Sequence, residues 1–180
     1  MKKIGIIVGS LRKDSYNRKL AEVVAEELPE DYSVEFVSIK DLPMYNEDID
    51  GEKPPKEYAE FREKIAEKDG FIIATPEYNR SMPACLKNAL DVGSRPYGAN
   101  KWAGKPVGIL SASPGGMGGM GANMAIRQPM ICLNMIPLQQ PETYLGNITK
   151  SFDENGKVSD RTRAVLRKFA EAFVRHVDRF

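Results

Sequence analysis

Short apolar runs alternate with helical patterns along the whole chain, and this alternation limits the available folds more than any other feature. Five runs rich in Val and Ile predict strands at Lys3–Val8, Val34–Ile39, Gly70–Thr75, Pro106–Ser111 and Ile136–Gln139. Apolar residues at helical spacing predict helices at Ser15–Glu27, Lys56–Lys68, Ala84–Ser94, Ala122–Leu133 and Asp160–Asp178. Near-continuous apolar strands alternating with helices indicate an α/β fold, in which helices cover both faces of a parallel sheet.

The order of the strands follows from the connections between them. Strand–helix–strand crossovers are right-handed, so a chain of this pattern forms a doubly wound sheet. Five strands favour the order 2-1-3-4-5. The chain has 180 residues, which is enough for one complete core and short for two. We therefore expect residues 1–180 to form a single domain.

Charge and hydropathy exclude several classes of partner. Lys and Arg number 26 against 25 Asp and Glu, a net charge of +1, whereas a nucleic-acid-binding protein usually carries a basic excess. No run approaches the roughly 18 apolar residues that span a membrane. Met1-Lys2-Lys3 leads directly into a strand pattern without a cleavage-site signature. We expect a cytoplasmic protein that binds neither nucleic acid nor membrane.

Residues suited to nucleophilic or metal chemistry are scarce. Cys85 and Cys132 are isolated in apolar helical segments, so we interpret both as buried structural thiols. The one histidine, His176, lies on a charged helix near the C-terminus. Neither a Cys/His metal site nor a histidine-based triad can be assembled, so an enzyme of this sequence must take its chemistry from a cofactor.

The segment Gly9–Leu20 follows the first predicted strand and leads into a helix. Its small residues, hydroxyls and Arg predict a cup for a phosphate monoester at the helix N-terminus, with Asp14 turned away. The expected donors are Ser10, Arg12, Ser15 and Asn17. The segment matches neither the nucleoside-triphosphate loop nor the dinucleotide fingerprint, so it suits a single phosphate such as that of FMN. The alternative is that Asp14 or Ser15 merely caps the helix.

Two further loops are expected at the same edge of the sheet. Thr75–Pro83 is stiffened by prolines, and its backbone groups, with Tyr78 and Asn79, suit a flat heteroaromatic ring. Ser111–Gly121 is rich in glycine, which lets backbone approach a ring edge or leaves space for a second substrate. Gly116–Gly121 matches G-x-G-x-x-G, but it lies four residues beyond its strand in the last unit, which argues against a dinucleotide site. An ordinary turn and a flexible surface loop remain the alternatives for the two segments.

These residues closely resemble the NAD(P)H-dependent FMN reductases, a flavodoxin-like family that includes quinone, azo-dye and chromate reductases. Three co-linear motifs between residue 4 and about residue 145 carry the resemblance: Gly9-Ser10-Leu11-Arg12 with Ser15 and Asn17, Thr75-Pro76-Glu77-Tyr78-Asn79 with Leu86–Asp91, and Ser113-Pro114-Gly115 with Gly118-Gly119. Two positions depart from the common pattern: Val92, where many members have Trp, and Met120-Gly121, where many have an Ala-Arg pair. The departures leave the acceptor and the preferred reductant open.

The resemblance implies bound FMN, with NADPH or NADH as the reductant. It implies a phosphate at Ser10, Arg12, Ser15 and Asn17, a ring against Pro76, Glu77, Tyr78 and Asn79, and a second side formed by Ser111, Ser113, Gly115 and Gly116. Tyr78 and Asn79 would position the reactants, with no catalytic side chain and no metal. The members are usually homodimers or homotetramers.

The activity implied is a hydride relay from NAD(P)H through the flavin to a small-molecule acceptor, either a quinone or a similar compound such as an azo dye, chromate or free flavin. The alternatives are a flavodoxin-like electron carrier and a flavin sensor without steady turnover. Carriers tend to be acidic and to stack the ring between aromatics, and this chain is neutral with few aromatics in its loops. FMN could also be a substrate that is released after reduction.

Overall fold

The computed structural model describes residues 1–180 as a parallel sheet flanked by helices. The strands are β1 (Lys2–Val8), β2 (Tyr32–Phe36), β3 (Gly70–Thr75), β4 (Pro106–Ala112), β5 (Ile136–Pro137) and β6 (Thr143–Leu145). The helices are α1 (Tyr16–Glu26), α2 (Lys56–Ala66), α3 (Ala84–Gly93), α4 (Met120–Cys132) and α5 (Asp160–Val177), with short 3₁₀ helices at Glu47–Ile49 and Ile148–Ser151. No helix combines the length and the apolar character needed to cross a bilayer.

The sheet has the order β2-β1-β3-β4-β5, which confirms the predicted winding. Every strand pair is parallel, and β1 lies between β2 and β3. The chain leaves β1 toward β2 on one side and reaches β3 and β4 on the other. The winding therefore reverses beside β1, and this is where ligands bind in open parallel sheets.

The predicted fifth strand, Ile136–Gln139, is wrong in its extent. β5 ends at Pro137 and pairs with the start of β4, whereas β6 pairs with the end of β4 through Leu110 and Thr143. Two short strands thus share one edge position, separated by five residues that include Pro141. A proline has no N–H to donate to a neighbouring strand, and it is tolerated where the edge of the sheet is interrupted in this way.

The second strand is also displaced from its predicted range, Val34–Ile39. β2 begins at Tyr32, where the register pairs it with Lys2, and it ends at Phe36. Beyond that end, the N–H of Val37 still donates to the carbonyl of Ile6 at 2.9 Å. The chain therefore stays beside β1 but leaves regular strand geometry before the predicted end.

Helices cover both faces of the sheet, as predicted. Ile6 and Ile72 belong to a cluster of 20 buried residues beneath α1 and α5. Ile7 and Ile73, one position further along the same strands, belong to a cluster of 18 beneath α2, α3 and α4. Because successive side chains of a strand point to opposite faces, unbroken apolar runs supply both cores.

Three side chains differ in exposure from what their positions in the sequence indicate. Both cysteines were expected to be buried thiols, but Cys132 is the exposed last residue of α4 and Cys85 is only partly buried. Asp50 begins Asp50–Pro55, a polar segment with two prolines, a composition typical of a surface loop, yet its side chain is only 2% exposed. It makes two hydrogen bonds, of 2.7 and 2.6 Å, to the guanidinium of Arg62 on α2. A paired partner explains why a carboxylate can be buried there.

Candidate functional site

A cleft of about 160 Å³ lies where the loops after β1, β3 and β4 meet. It is lined by Ser10, Arg12, Ser15, Tyr16, Asn17, Pro76, Glu77, Tyr78, Ala112, Ser113, Pro114 and Ile148. A larger groove of about 450 Å³ lies toward the β2 side of the first loop, but all three loops border only the smaller cleft. The cleft occupies the point where the winding of the sheet reverses, so it is the candidate site.

The end of β1 approaches β3 closely at Gly9. Its N–H donates to the carbonyl of Ala74 at 2.8 Å. A Cβ at this position would lie 2.9 Å from the Thr75 hydroxyl oxygen and 3.3 Å from the Leu86 side chain. Only glycine fits without displacing these neighbours, so the first loop begins tight against the end of β3.

The backbone of the first loop is rich in free donors. None of the N–H groups from Ser10 to Asn17 donates a hydrogen bond within the chain. The last two, of Tyr16 and Asn17, belong to the first turn of α1, where helical N–H groups have no carbonyl to reach. A run of free N–H groups ending at a helix N-terminus is an anion-binding arrangement.

Ser15 performs the capping role that the sequence left as an alternative. Its backbone is extended at φ −73° and ψ 123°, and its Oγ accepts from the Arg18 N–H at 3.3 Å. The cap occupies one lone pair of the oxygen and leaves the hydroxyl hydrogen free to donate. Ser15 therefore caps α1 while still offering a donor to the cleft that it lines.

Arg12 is the cationic side chain of the cleft lining. Its side chain is exposed, its guanidinium donates to the carbonyl of Asp14, and it lies 5.4 Å from the centre of the Tyr16 ring. These contacts hold the guanidinium beside the free N–H groups of the loop. A guanidinium in that position favours a negatively charged ligand.

Asn17 joins α1 to the end of β4 and leaves one buried atom without a partner. Its Nδ2 donates to the carbonyl of Ala112 at 3.3 Å, which uses one of the two N–H donors of the amide group. Its Oδ1 is buried and accepts no hydrogen bond. A buried acceptor without a donor favours a ligand that supplies a hydroxyl or N–H there.

The second loop is a tight hairpin. Tyr78 and Ser81 exchange backbone hydrogen bonds of 3.0 Å, and both central residues, Asn79 and Arg80, have positive φ, of 51° and 64°. This is a two-residue turn of type I′. The turn uses the N–H of Tyr78 but leaves those of Glu77 and Asn79 without an acceptor in the chain. Asn79 lies exposed at the turn and does not line the cleft.

The third loop is tied to the end of β6 and to the segment that follows it. Ser113 donates from its N–H to the Leu145 carbonyl, and its own carbonyl accepts from the Ile148 N–H, each at 3.2 Å. Gly115 accepts from the Asn147 N–H at 3.1 Å. Ser113 therefore lines the cleft, whereas Gly115 and Gly116 lie outside its lining.

Ser111 has no contact with the cleft. It is fully buried within β4, and its Oγ has no hydrogen-bond partner. A Cβ built on Gly119 would approach the Ser111 Cβ to 3.0 Å, so its side chain faces the start of α4. This strand position looked like part of the loop in sequence because a hydroxyl residue ended the predicted strand.

The structure brings eight of the predicted site residues to the cleft and leaves four outside: Asn79, Ser111, Gly115 and Gly116. Tyr16, Ala112, Pro114 and Ile148 line it without having been predicted as site residues. The first three adjoin predicted residues in the chain, so their positions were within reach of the motif. Ile148 comes from a distant polar connection and carries no sequence signal for the cleft.

Cys85 lies near the site but is not arranged as a nucleophile. Its Sγ donates to the carbonyl of Gly9 at 3.5 Å, and burial raises the pKa of the thiol above its ordinary value. A raised pKa reduces the thiolate fraction at neutral pH, and the thiolate is the reactive form. Cys85 is therefore poorly suited to act as a nucleophile in this cleft.

The sheet order and the phosphate-type loop after the first strand define a flavodoxin-like α/β protein with a ligand site at its switch point. A family model described as NADPH-dependent FMN reductase matches residues 2–150. The chain belongs to this family and is an oxidoreductase with FMN and NAD(P)H as cofactors.

Known proteins support this assignment in sequence and in structure. The chain is 50% identical to a quinone reductase of Pseudomonas putida over 170 residues, covering 94% of this chain and 91% of the relative. It is 44% identical to the 2-hydroxy-1,4-benzoquinone reductase of a Burkholderia species over 172 residues, covering 95% and 93%. The solved structure of a flavoenzyme, the NAD(P)H:(acceptor) oxidoreductase of Paracoccus denitrificans, superposes with a TM-score of 0.92 at 33% identity, covering 99% and 98%.

Proposed function

We propose that this chain is an NAD(P)H-dependent quinone reductase that holds FMN in the cleft at the switch point. The observation that carries the proposal is the run of free N–H groups from Ser10 to Asn17 beside Arg12. Phosphate monoesters require several donors and positive charge, and this loop offers both. The names of the relatives support a quinone as the acceptor.

The residues of the cleft fit the parts of FMN. Ser10, Arg12, Ser15 and the free N–H groups of the first loop would hold the phosphate. The unpartnered Oδ1 of Asn17 would accept from a hydroxyl of the ribityl chain, since a phosphate oxygen cannot donate to it. The N–H group of Glu77, with Pro76 and Tyr78, would border the ring, and the N–H group of Asn79 would extend this border just beyond the cleft lining. Ser113 would lie on the opposite side.

The protein's own part in the reaction is binding and orientation. When bound, FMN supplies the chemistry of accepting a hydride from NAD(P)H and passing two electrons to the acceptor. Hydride transfer depends on close and correct stacking, which the rigid type I′ hairpin provides on one side of the cleft. Tyr78 is 53% exposed, so it would form a wall that is open to exchanging reactants. No acid or base side chain is assigned.

Turnover with purified protein, FMN, NADPH and a benzoquinone tests the proposal. We expect steady loss of the near-ultraviolet absorbance of NADPH that requires the protein, FMN and the benzoquinone together. The absence of steady consumption would favour an electron carrier or a sensor and contradict the proposed activity. Azo dyes, chromate and free flavin, offered to the same preparation, test the other predicted acceptors.

Gel filtration before the assay separates a bound cofactor from a released substrate. We expect the flavin absorbance to elute with the protein, whereas elution in the salt volume would show that FMN exchanges freely. Sedimentation equilibrium tests the predicted homodimer or homotetramer against the 20.1 kDa chain. Both assembly and a cytoplasmic location remain predictions.

A further inference from the structure

The side chain of Glu77 extends from the second loop to the N-terminus of α4. Its Oε2 accepts from the N–H of Ala122 at 3.2 Å, although the two residues are 45 positions apart. The residue that precedes α4 is Gly119, at φ 79°, which has no side chain to satisfy the first N–H groups of the helix. A carboxylate at a helix N-terminus is stabilised by the hydrogen bond and by the helix dipole.

Gly121 leaves the space that this carboxylate occupies. A Cβ at Gly121 would lie 2.9 Å from the Glu77 Oε2 and 3.0 Å from the Arg80 carbonyl oxygen. The position therefore requires glycine for the hairpin and α4 to approach so closely. This contact also explains part of the G-x-G-x-x-G match, because an acidic side chain stands where the fingerprint would place a pyrophosphate.

Glu77 consequently has two separate surroundings. Its backbone belongs to the hairpin that borders the cleft, and its N–H has no acceptor in the chain. Its carboxylate is held outside that hairpin by α4. The hydrogen bond anchors the hairpin at Glu77, next to Pro76, so the free N–H groups of Glu77 and Asn79 are held in place before a ligand arrives.

We propose that Glu77 is a positioning residue, whose carboxylate locks the hairpin to α4 and preorganises the ring side of the FMN site. The inference rests on the proposed placement of FMN in the cleft. A neutral side chain that still accepts the Ala122 hydrogen bond would keep most of this effect. A side chain that cannot accept it would release the hairpin.

Dissociation constants for FMN, measured by quenching of flavin fluorescence, test the proposal in Glu77→Ala and Glu77→Gln. We expect Glu77→Ala to weaken binding about tenfold, in line with the loss of a hydrogen bond to a charged group. We expect Glu77→Gln to stay within about threefold of the unmodified protein, because its Oε1 can replace the acceptor. Unchanged binding in Glu77→Ala overturns the proposal, and so does equal weakening in Glu77→Gln.

Gly121→Ala provides a second route to the same state, since the added methyl group displaces the carboxylate. We expect weaker FMN binding in Gly121→Ala and unchanged FMN binding in Gly51→Ala, where a Cβ meets no atom within 4 Å. Normal binding in Gly121→Ala contradicts the proposal.

Amide hydrogen exchange in the FMN-free protein separates the two proposals. Faster exchange at Ala122 in Glu77→Ala is expected whether or not FMN binds. If the unmodified protein binds no FMN, the proposed function fails. If exchange at Ala122 is unchanged in Glu77→Ala, Glu77 does not cap α4 and the positioning role fails instead.

Discussion

Single side chains at the residue scale serve the site and the fold together. Ser15 caps α1 through its oxygen while it lines the cleft. Asn17 ties α1 to the end of β4 through Nδ2 and leaves Oδ1 free. Because each residue uses only part of its hydrogen-bonding capacity within the chain, the remainder is directed to a ligand without loss of local structure.

Replacing Arg12 is expected to weaken FMN binding while leaving the stability of the fold nearly unchanged. Arg12→Glu puts a negative charge beside the free N–H groups of the first loop, so we expect FMN binding to weaken by at least about tenfold. The side chain is exposed, and we expect the melting temperature without FMN to change little. Flavin content after gel filtration and a thermal melt measure the two effects.

Arg179→Glu is the matched control for this change, since Arg179 is an exposed arginine at the C-terminal end. Arg179→Glu changes the net charge by the same amount, at a position that is distant in sequence from the first loop. Normal flavin content in Arg12→Glu would show that the first loop is not the phosphate site. Equal losses in both variants would point to net charge instead.

The buried pair of Asp50 and Arg62 predicts a large loss of stability from a single change. The side chains are 2% and 8% exposed, and Arg62 also donates to the Val92 carbonyl at 2.9 Å. Asp50→Ala leaves the guanidinium buried without its partner, so we expect the free energy of unfolding to fall by about 3–5 kcal/mol. Urea unfolding measures the change.

Glu52→Ala is the control for this prediction, because Glu52 is exposed in the same segment. We expect it to alter the free energy of unfolding by less than about 0.5 kcal/mol. A similarly small effect of Asp50→Ala would mean that water reaches the guanidinium and replaces the carboxylate.

At the scale of elements, loops at the sheet edge are held by contacts with distant parts of the chain. The third loop is fixed by the segment after β6, and the hairpin is fixed by α4. Neither contact involves neighbouring positions in the sequence. The cleft therefore depends on the relative placement of several elements, which the common sheet provides.

A cluster of charges joins the C-terminal end of α1 to α5 and predicts a pH effect. The pKa of Glu27 is lowered, chiefly because Arg167 and Arg163 donate hydrogen bonds of 2.8 and 2.7 Å to its carboxylate. A pKa that is lower in the folded state adds stability above the unfolded value of 4.5. That stability is lost as the pH falls through the folded pKa.

Comparison with Glu27→Gln isolates this contribution. We expect the variant to be less stable by about 0.5–1 kcal/mol at pH 7, since its arginine partners are partly exposed. The difference should shrink as the pH falls below 4.5 and also in concentrated salt, which screens the charges. Urea unfolding across this range measures it, and a difference independent of pH would assign the effect to packing.

At the scale of the whole molecule, one sheet supports two cores. Phe169 belongs to the cluster beneath α1 and α5, whereas Trp102 belongs to the cluster on the other face. The strands contribute alternate residues to both clusters. Loss of one core therefore removes the support of the other, and we expect the two to unfold together.

Phe169→Ala tests this coupling, because Phe169 and the fluorescent probe Trp102 lie on opposite faces of the sheet. Phe169 is fully buried, so we expect the free energy of unfolding to fall by about 3–5 kcal/mol. Trp102 is the single tryptophan, and its fluorescence should change at the same urea concentration as the far-ultraviolet circular dichroism. Separate transitions for the two signals would show that the faces unfold independently.

Much of the site was predictable because the first and second motifs are local. Ser10 and Pro76 lie within two residues of strand ends, and Ser15 caps the helix that follows the first of them. A parallel sheet brings those strand ends to one edge. Asn79 lies outside the cleft lining because it occupies an exposed position in the type I′ turn, and its place beside the ring stays a prediction. Ile148 was missed because only packing of the segment after β6 brings it there.

The sequence by itself determined the element types and the winding of the sheet, because apolar periodicity and crossover handedness act through neighbouring residues. The tertiary structure alone decided the division of the fifth strand position, the burial of Asp50 and the contact of Glu77 with α4. Each of these depends on a partner that is distant in the chain, and its hydrogen bond or space exists only after the elements have packed.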